Sequence, residues 1–190
     1  MAIISDNEIN NNDVAGDLIV GGIVVKVPAF DIRLSAESLR KMIERHESLK
    51  EDDPHYQYVL EELQSKIEEV APRTVVGLEK KLELANRQGY LHEALRSSQK
   101  ASKMITKFQH VRSYQIIFNH MLGLILTRFE NNIKPLLKKD CDDVAIGMAI
   151  NAFIIEPLYA EVTLANGFIS AEVVQGMLYF LTEKCHVEWV

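Results

Sequence analysis

Little in this chain advertises covalent chemistry. Of its 190 residues two are cysteines, Cys141 and Cys185, without CxxC spacing, so no disulfide framework or thiol-redox motif is available. Both read as small buried hydrophobes. Basic residues are outnumbered, Lys+Arg 21 against Asp+Glu 27, for a net charge of −6. That argues against direct nucleic-acid contact, because neutralising phosphates takes clustered Lys and Arg. The basic doublets, Lys80-Lys81 and Lys138-Lys139, each sit beside acids. No signal-peptide pattern opens the chain and no apolar run reaches membrane-spanning length, so no membrane partner is expected and the localisation is read as cytoplasmic. GxGxxG, a Walker lysine and GxSxG are missing. The six histidines (His46, His55, His92, His110, His120 and His186) show no HxxxH spacing, and neither a metal nor a cofactor is assigned.

What is present is an ordinary globular composition, 47% hydrophobic and 25% charged. At this length about 70% of the unfolded surface can be buried without a staple. Three textures follow one another. Residues 1–13 are Asn/Asp-rich and unpatterned, a loose leader. Residues 14–30 contain two β-branched runs joined by Gly21-Gly22, a hairpin signal because the tight primed turns need positive φ. Leu18, Ile19 and Val20, then Ile23, Val24 and Val25, are apolar on both faces. An isolated ribbon of two strands is marginal in water, so this one needs cover. Either it folds back on its own body, or it pairs with other copies as a self-association element, the reading carried forward.

Residues 31–190 read as a helical interaction domain, making the fold class all-α: a multi-helix bundle with a small N-terminal β-hairpin. Ser35 caps a helix to about Leu49, and Asp53-Pro54 opens another to about Val70. A third, about 74–87, stops at Gly89. The segment at about 90–107 is Ser/Lys-rich and is expected to be well solvated. Residues of about 110–137 are apolar on two faces and predict the central helix, ended or kinked by Pro135. Asp142 or Asp143 caps the next, which breaks at Pro157, and Ser170 caps the last, about 171–184. Residues 185–190 read as a short extended tail. Trp189 is the only tryptophan, and so large an aromatic is expected to dock in the core or at an interface.

Three clusters carry polar chemistry. Asp140-Cys141-Asp142-Asp143 offers hard oxygen ligands, and also the acids a helix N-terminus favours. Glu79-Lys80-Lys81 resembles the end of a nuclease ExK signature, but in a helix, where it reads as a solvated face. Arg87 and His92 have the Arg-x4-His spacing that resembles the signature of the HEPN ribonucleases, all-helical dimers. There His92 would be general acid or base and Arg87 would stabilise phosphorane charge, without a metal.

Along its length the chain shows a broader likeness. The run VVGLEKKLELANRQGYLHEALRSSQKASKMITKFQHVRSYQIIFNHMLGLILTRFENNIKPLL, then FIIEPLY and the closing GMLYFLTEKCHVEW, resembles the C-terminal domain of the ABC-three-component systems. The upstream DVAGDLIVGG is similar to the Gly-Asp-rich segment that precedes that domain. The resemblance implies a bacterial conflict system combining an ABC ATPase, a small middle component and an effector. Here only the short leader precedes the hairpin, so the expectation is a stand-alone form without a built-in effector. By this resemblance the chain is no enzyme. It is an adaptor or assembly subunit of an anti-phage complex, coupling the ABC ATPase to the effector or middle component and self-associating as a homo-oligomer. Self-association is assigned to Leu18, Ile19, Val20, Ile23, Val24 and Val25, and partner contact to Tyr179, Phe180 and Trp189. The alternative is a HEPN-like ribonuclease using Arg87 and His92.

Overall fold

The computed structural model describes residues 14–20, 23–70, 77–139 and 141–190. Two extended segments, β1 (Val14–Val20) and β2 (Ile23–Pro28), pair antiparallel with Val20 opposite Ile23 and Leu18 opposite Val25. The leader 1–13 and the Gly21-Gly22 turn lie outside the described residues, as do the side chains of Leu18, Ile19, Val20, Ile23, Val24 and Val25. Among the described residues, every secondary-structure element after Phe30 is a helix.

Helix α1 (Ile32–Ser48) starts earlier than Ser35 suggests, because Asp31 is the cap and accepts from the Leu34 amide at 3.0 Å. Helix α2 (Pro54–Ile67) is capped by Asp53, with Pro54 in the first turn where no amide is needed. Helix α3 (Leu78–Leu84) is shorter than expected, and the first residues of its expected span, 74–76, lie outside the described residues. Its stop is Asn86, at φ 56, rather than Gly89, which sits within a 3-10 turn (Gln88–Tyr90). Then come α4 (Leu91–Phe108) and α5 (Arg112–Arg128). Next are α6 (Lys134–Leu137), α7 (Asp143–Ile150), α8 (Glu156–Leu164) and α9 (Ala171–Glu183). Asp142 caps α7 at 2.8 Å and Ser170 caps α9.

The sequence's central helix is central. On α5, Ile117, Phe118, Met121, Leu122 and Ile125 are buried, with α1, α2 and α9 packed around it. The polar-looking α4 is a correction: it packs closely on α9 and buries Ala94, Ser97, Ser98, Ala101 and Ile105. Its small residues face inward because the two backbones nearly touch. A Cβ added at Gly176 would stand 2.1 Å from the Ser97 carbonyl oxygen. Ser97 also loops its hydroxyl back to the Glu93 carbonyl at 2.7 Å, which satisfies it without water.

Both prolines that seemed to end helices are passed instead. A π turn at Phe129–Ile133 precedes Pro135, and another at Asn151–Ile155 precedes Pro157. The widened turn makes room for a residue that lacks an N–H and crowds the previous turn. As a result α7 and α8 run on as one 22-residue helical stretch, Asp143–Leu164, with a mean hydropathy of 1.3. By length and composition it is the run that the sequence seemed to lack. Ile146, Ile150, Phe153, Ile154, Leu158 and Val162 spend its apolar character on the core of this domain.

Candidate functional site

Arg87 and His92 are not brought together as a catalytic pair. Arg87 is buried and spans to the start of α7, where its guanidinium pairs with the Asp143 carboxylate and donates to the Cys141 carbonyl at 2.5 Å. Tyr90 donates to the Asp143 carbonyl beside it, and burial together with the Asp143 charge raises its pKa. Asp142 thus caps α7, and Cys141 and Asp143 anchor the segment after α3, while Asp140 lies outside the described residues. His92 lies exposed in the first turn of α4. Among the described residues no group of three or more His, Cys, Asp or Glu stands close enough to hold a metal ion.

Tyr179, Phe180 and Trp189, assigned to partner contact, are all core residues, at 2%, 3% and 2% exposure. None of the three presents a face to a partner while the tail is seated. The chain end folds back over the last turn of α9: Trp189 donates its ring N–H to the Thr182 hydroxyl at 3.0 Å. It stacks on Tyr179 with centroids 6.1 Å apart and meets the edge of Phe129 at 5.3 Å. Tyr179 is so enclosed that burial pushes its phenol pKa far upward. Lys81 corrects another expectation. It is no solvated face but a buried cation, donating to the carbonyls of Thr182 at 2.9 Å and Val187 at 3.3 Å. The Thr182 carbonyl sits in the last turn of α9, its negative end, where a cation is favoured, and the Val187 carbonyl belongs to the tail. One lysine therefore ties helix end to tail. Cys141 and Cys185 are free and buried, as their sparse spacing suggests.

The root of the ribbon is held by a group the sequence did not single out. Arg128 stacks over Phe30, 4.4 Å from its ring centroid, and donates to the Phe153 carbonyl at 3.2 Å. Phe153 is four residues before Pro157, which has no N–H to give it, so Arg128 supplies the missing donor. Burial lowers the Arg128 pKa, and the charge of Glu161 opposes that shift. Glu161 is itself buried and meets His120 Nε2 at 2.6 Å. Phe30, both π turns, α5 and α8 are thus tied at one point. Two signals in the sequence could have found it: a cation closing the apolar second half of a helix, and a proline that orphans a carbonyl. Nearby, β1 packs on α7, whose outer face leaves Val144 and Met148 exposed at 73% and 48%.

Compared with known proteins, the chain matches the family model for C-terminal domain 9 of the ABC-three component systems over residues 77–189. No curated protein and no solved structure matches it.

Proposed function

Since the chain belongs to the family of C-terminal domain 9 of the ABC-three component systems, we propose that it is a non-enzymatic assembly subunit of a bacterial anti-phage complex. In this reading the helical body couples an ABC ATPase to an effector or middle component. The segment 14–30, as a hairpin, joins copies of the chain into a homo-oligomer. The observation that carries the reading is the ribbon root: Phe30 is clamped by Arg128, so the ribbon leaves the body from a fixed point. Its sequence is apolar on both faces, and a ribbon of that kind needs a second covering surface. Helix α7, against which β1 packs, also leaves Val144 and Met148 exposed, so the helix that meets the ribbon carries uncovered apolar surface of its own. Arg87, taken up by Asp143 and Cys141, supports structural use of that residue over catalysis.

Size-exclusion chromatography with light scattering tests this on the full chain. Wild type should be oligomeric, and Val20→Asp should drop to a lower mass with an unchanged helical spectrum, since an unpaired charge resists burial. Equal masses would end the hairpin's role. A tagged pull-down from the native host, with partners identified by mass spectrometry, should recover an ABC ATPase. Recovery of the chain alone would remove the coupling role.

A further inference from the structure

Counted along the sequence, basic residues gather only as doublets. Wound into α4, four others fall into a row. At about 100° per residue, Arg96, Lys100, Lys103 and Lys107 share an arc of about 60°, one cation for each turn of the helix. The row is about 17 Å long at 1.5 Å per residue, and the exposed His92 continues it by one turn. It points away from the domain, because Ala94, Ser98, Ala101 and Ile105 are buried on the opposite side of the helix, where α4 packs on α9. All four cations are exposed. One carboxylate answers two of them: Glu172 pairs with Arg96 at 3.2 Å and with Lys100. Among the described residues Lys103 and Lys107 have no ion pair, and Lys107 lies over the Phe108 ring, 5.2 Å from its centroid. Glu93, the one acid of α4, stands outside the arc. The chain as a whole carries −6, but a polyanion responds to the local field, and that field is positive here.

The make-up of the row decides between two kinds of anionic partner. Protein interfaces are depleted of lysine and centre on apolar or aromatic anchors. None stands within this row, since Leu95, the exposed apolar residue of α4, lies outside the arc. The exposed neutral side chains at its edge, Gln99 and Thr106, are hydrogen-bond donors. Surfaces that meet nucleic acid have this polar, cationic character. Single strands are held by stacking their bases on free aromatics, whereas Phe108, the aromatic of α4, is already stacked on Tyr114 at 4.8 Å. A duplex presents unbroken lines of phosphates and asks for no stacking platform. We propose that the outer face of α4 binds the phosphate backbone of duplex nucleic acid without reading its sequence. Arg96, Lys100, Lys103 and Lys107 each meet a phosphate, and Glu172 competes for the first two. This contact goes beyond the assembly role and does not rest on it.

The probe is a fluorescein-labelled DNA duplex of about 20 base pairs, titrated with the full chain and read by anisotropy. Saturable binding is expected in about 50 mM salt with a Kd on the order of 10 μM, in the range of sequence-independent contacts. Each phosphate contact adds about −0.9 to the slope of log K against log salt, so four give roughly −3.6, and a fourfold rise in salt weakens binding about 100-fold. Lys103→Gln with Lys107→Gln should make the slope shallower by about 2. Glu172→Gln should tighten binding severalfold by freeing its two cations. Lys41→Gln with Lys50→Gln removes the same charge from exposed positions outside α4 and should leave the slope unchanged. Circular dichroism checks the fold of each variant. The proposal falls if wild type shows no saturable binding up to about 200 μM, or if the two double variants flatten the slope equally. It also falls if a single strand of the same length binds more tightly than the duplex, or if a duplex of unrelated sequence differs by more than about tenfold. Displacement by poly-glutamate as complete as by unlabelled duplex would assign the row to an acidic protein instead.

Discussion

Adding one methyl group at Gly176 should damage this protein more than most truncations of its surface. The Cβ of an alanine there would lie 2.1 Å from the Ser97 oxygen, 2.7 Å from the Ser97 carbonyl carbon and 3.1 Å from the Ala101 Cβ. The first two are backbone of α4, so no side chain can swing aside. Ordinary contact begins near 3.4 Å, so α9 must retreat from α4 by about 1 Å. A gap of that size forfeits a quarter to a half of each dispersion contact along the interface. Val173, Met177 and Phe180 of α9 and Ala94, Ala101 and Ile105 of α4, all buried, supply many of the atoms at stake. Overpacking of this kind costs about 1–3 kcal/mol and occasionally more. The helix-propensity gain of alanine over glycine, about 1 kcal/mol, opposes it. With the two nearest atoms belonging to backbone, the overpacking lies at the upper end of that range, and a net loss of about 2 kcal/mol lowers the melting temperature by roughly 4–8 °C in a chain of this size. The internal standard is Gly123→Ala on α5, where the new Cβ meets only Lys66 Cε at 3.7 Å. There the propensity term stands alone, and the melting temperature should rise by roughly 1–4 °C. Circular dichroism melts of the two variants decide the matter. Shifts of the same sign would refute the close approach of α4 and α9.

Three further outcomes follow from the buried ties. Lys81→Met keeps the stem but leaves the Thr182 and Val187 carbonyls without their cation; a loss of about 2–3 kcal/mol is expected, and Trp189 emission should move to the red as the tail loosens. An unmoved spectrum would mean the tail is held without Lys81. Arg87→Ala should destabilise the fold by about 2 kcal/mol or more in urea unfolding, through the orphaned Asp143 and Cys141 partners, whereas exposed His92→Ala should change stability by less than about 0.5 kcal/mol; equal effects would contradict these placements. The hydrogen bond and charge of Lys100 hold Glu172 below the ordinary carboxylate range, with Arg96 adding to it. Its stabilising contribution is therefore present above the usual glutamate value and lost as pH falls through the lowered one. The urea midpoints of wild type and Glu172→Gln should accordingly converge on acidification, and a gap that widens in acid would reverse the assignment.

The helical body was legible where the signals are local. Asp53-Pro54, Asp142 and Ser170 act as caps because capping needs only a side-chain oxygen and the next few amides. The two-faced apolar pattern of α5 marked the centre because it records burial directly. The misreadings share one cause, a partner distant in sequence. Pro157 looked like a break until a π turn gave it space and Arg128 answered the Phe153 carbonyl from another helix. The serines of α4 looked solvated because nothing local says that Gly176 lies against them. Lys81 looked exposed because its acceptors are about a hundred residues away along the chain. Trp189 was placed in the core or at an interface, and Thr182 with Tyr179 decides for the core. Aromatic content alone did not distinguish surfaces that bind partners from surfaces that bind the chain itself.

The two π turns also bear on how this gene can change length. Each carries one residue more than an α-helix needs over the same rise, and the helices on either side keep their own regular winding. Losing a single codon from 129–133 or 151–155 would let the turn relax to ordinary α spacing with the downstream register kept, the cost being confined to the room each turn gives Pro135 or Pro157. A codon lost from the middle of α5 or α9 would instead rotate all that follows by about 100° and turn core residues outward. In-frame deletion scanning should therefore find two narrow windows where the damage is smaller than in the helices around them, and smaller still when Pro135 or Pro157 is also replaced by alanine.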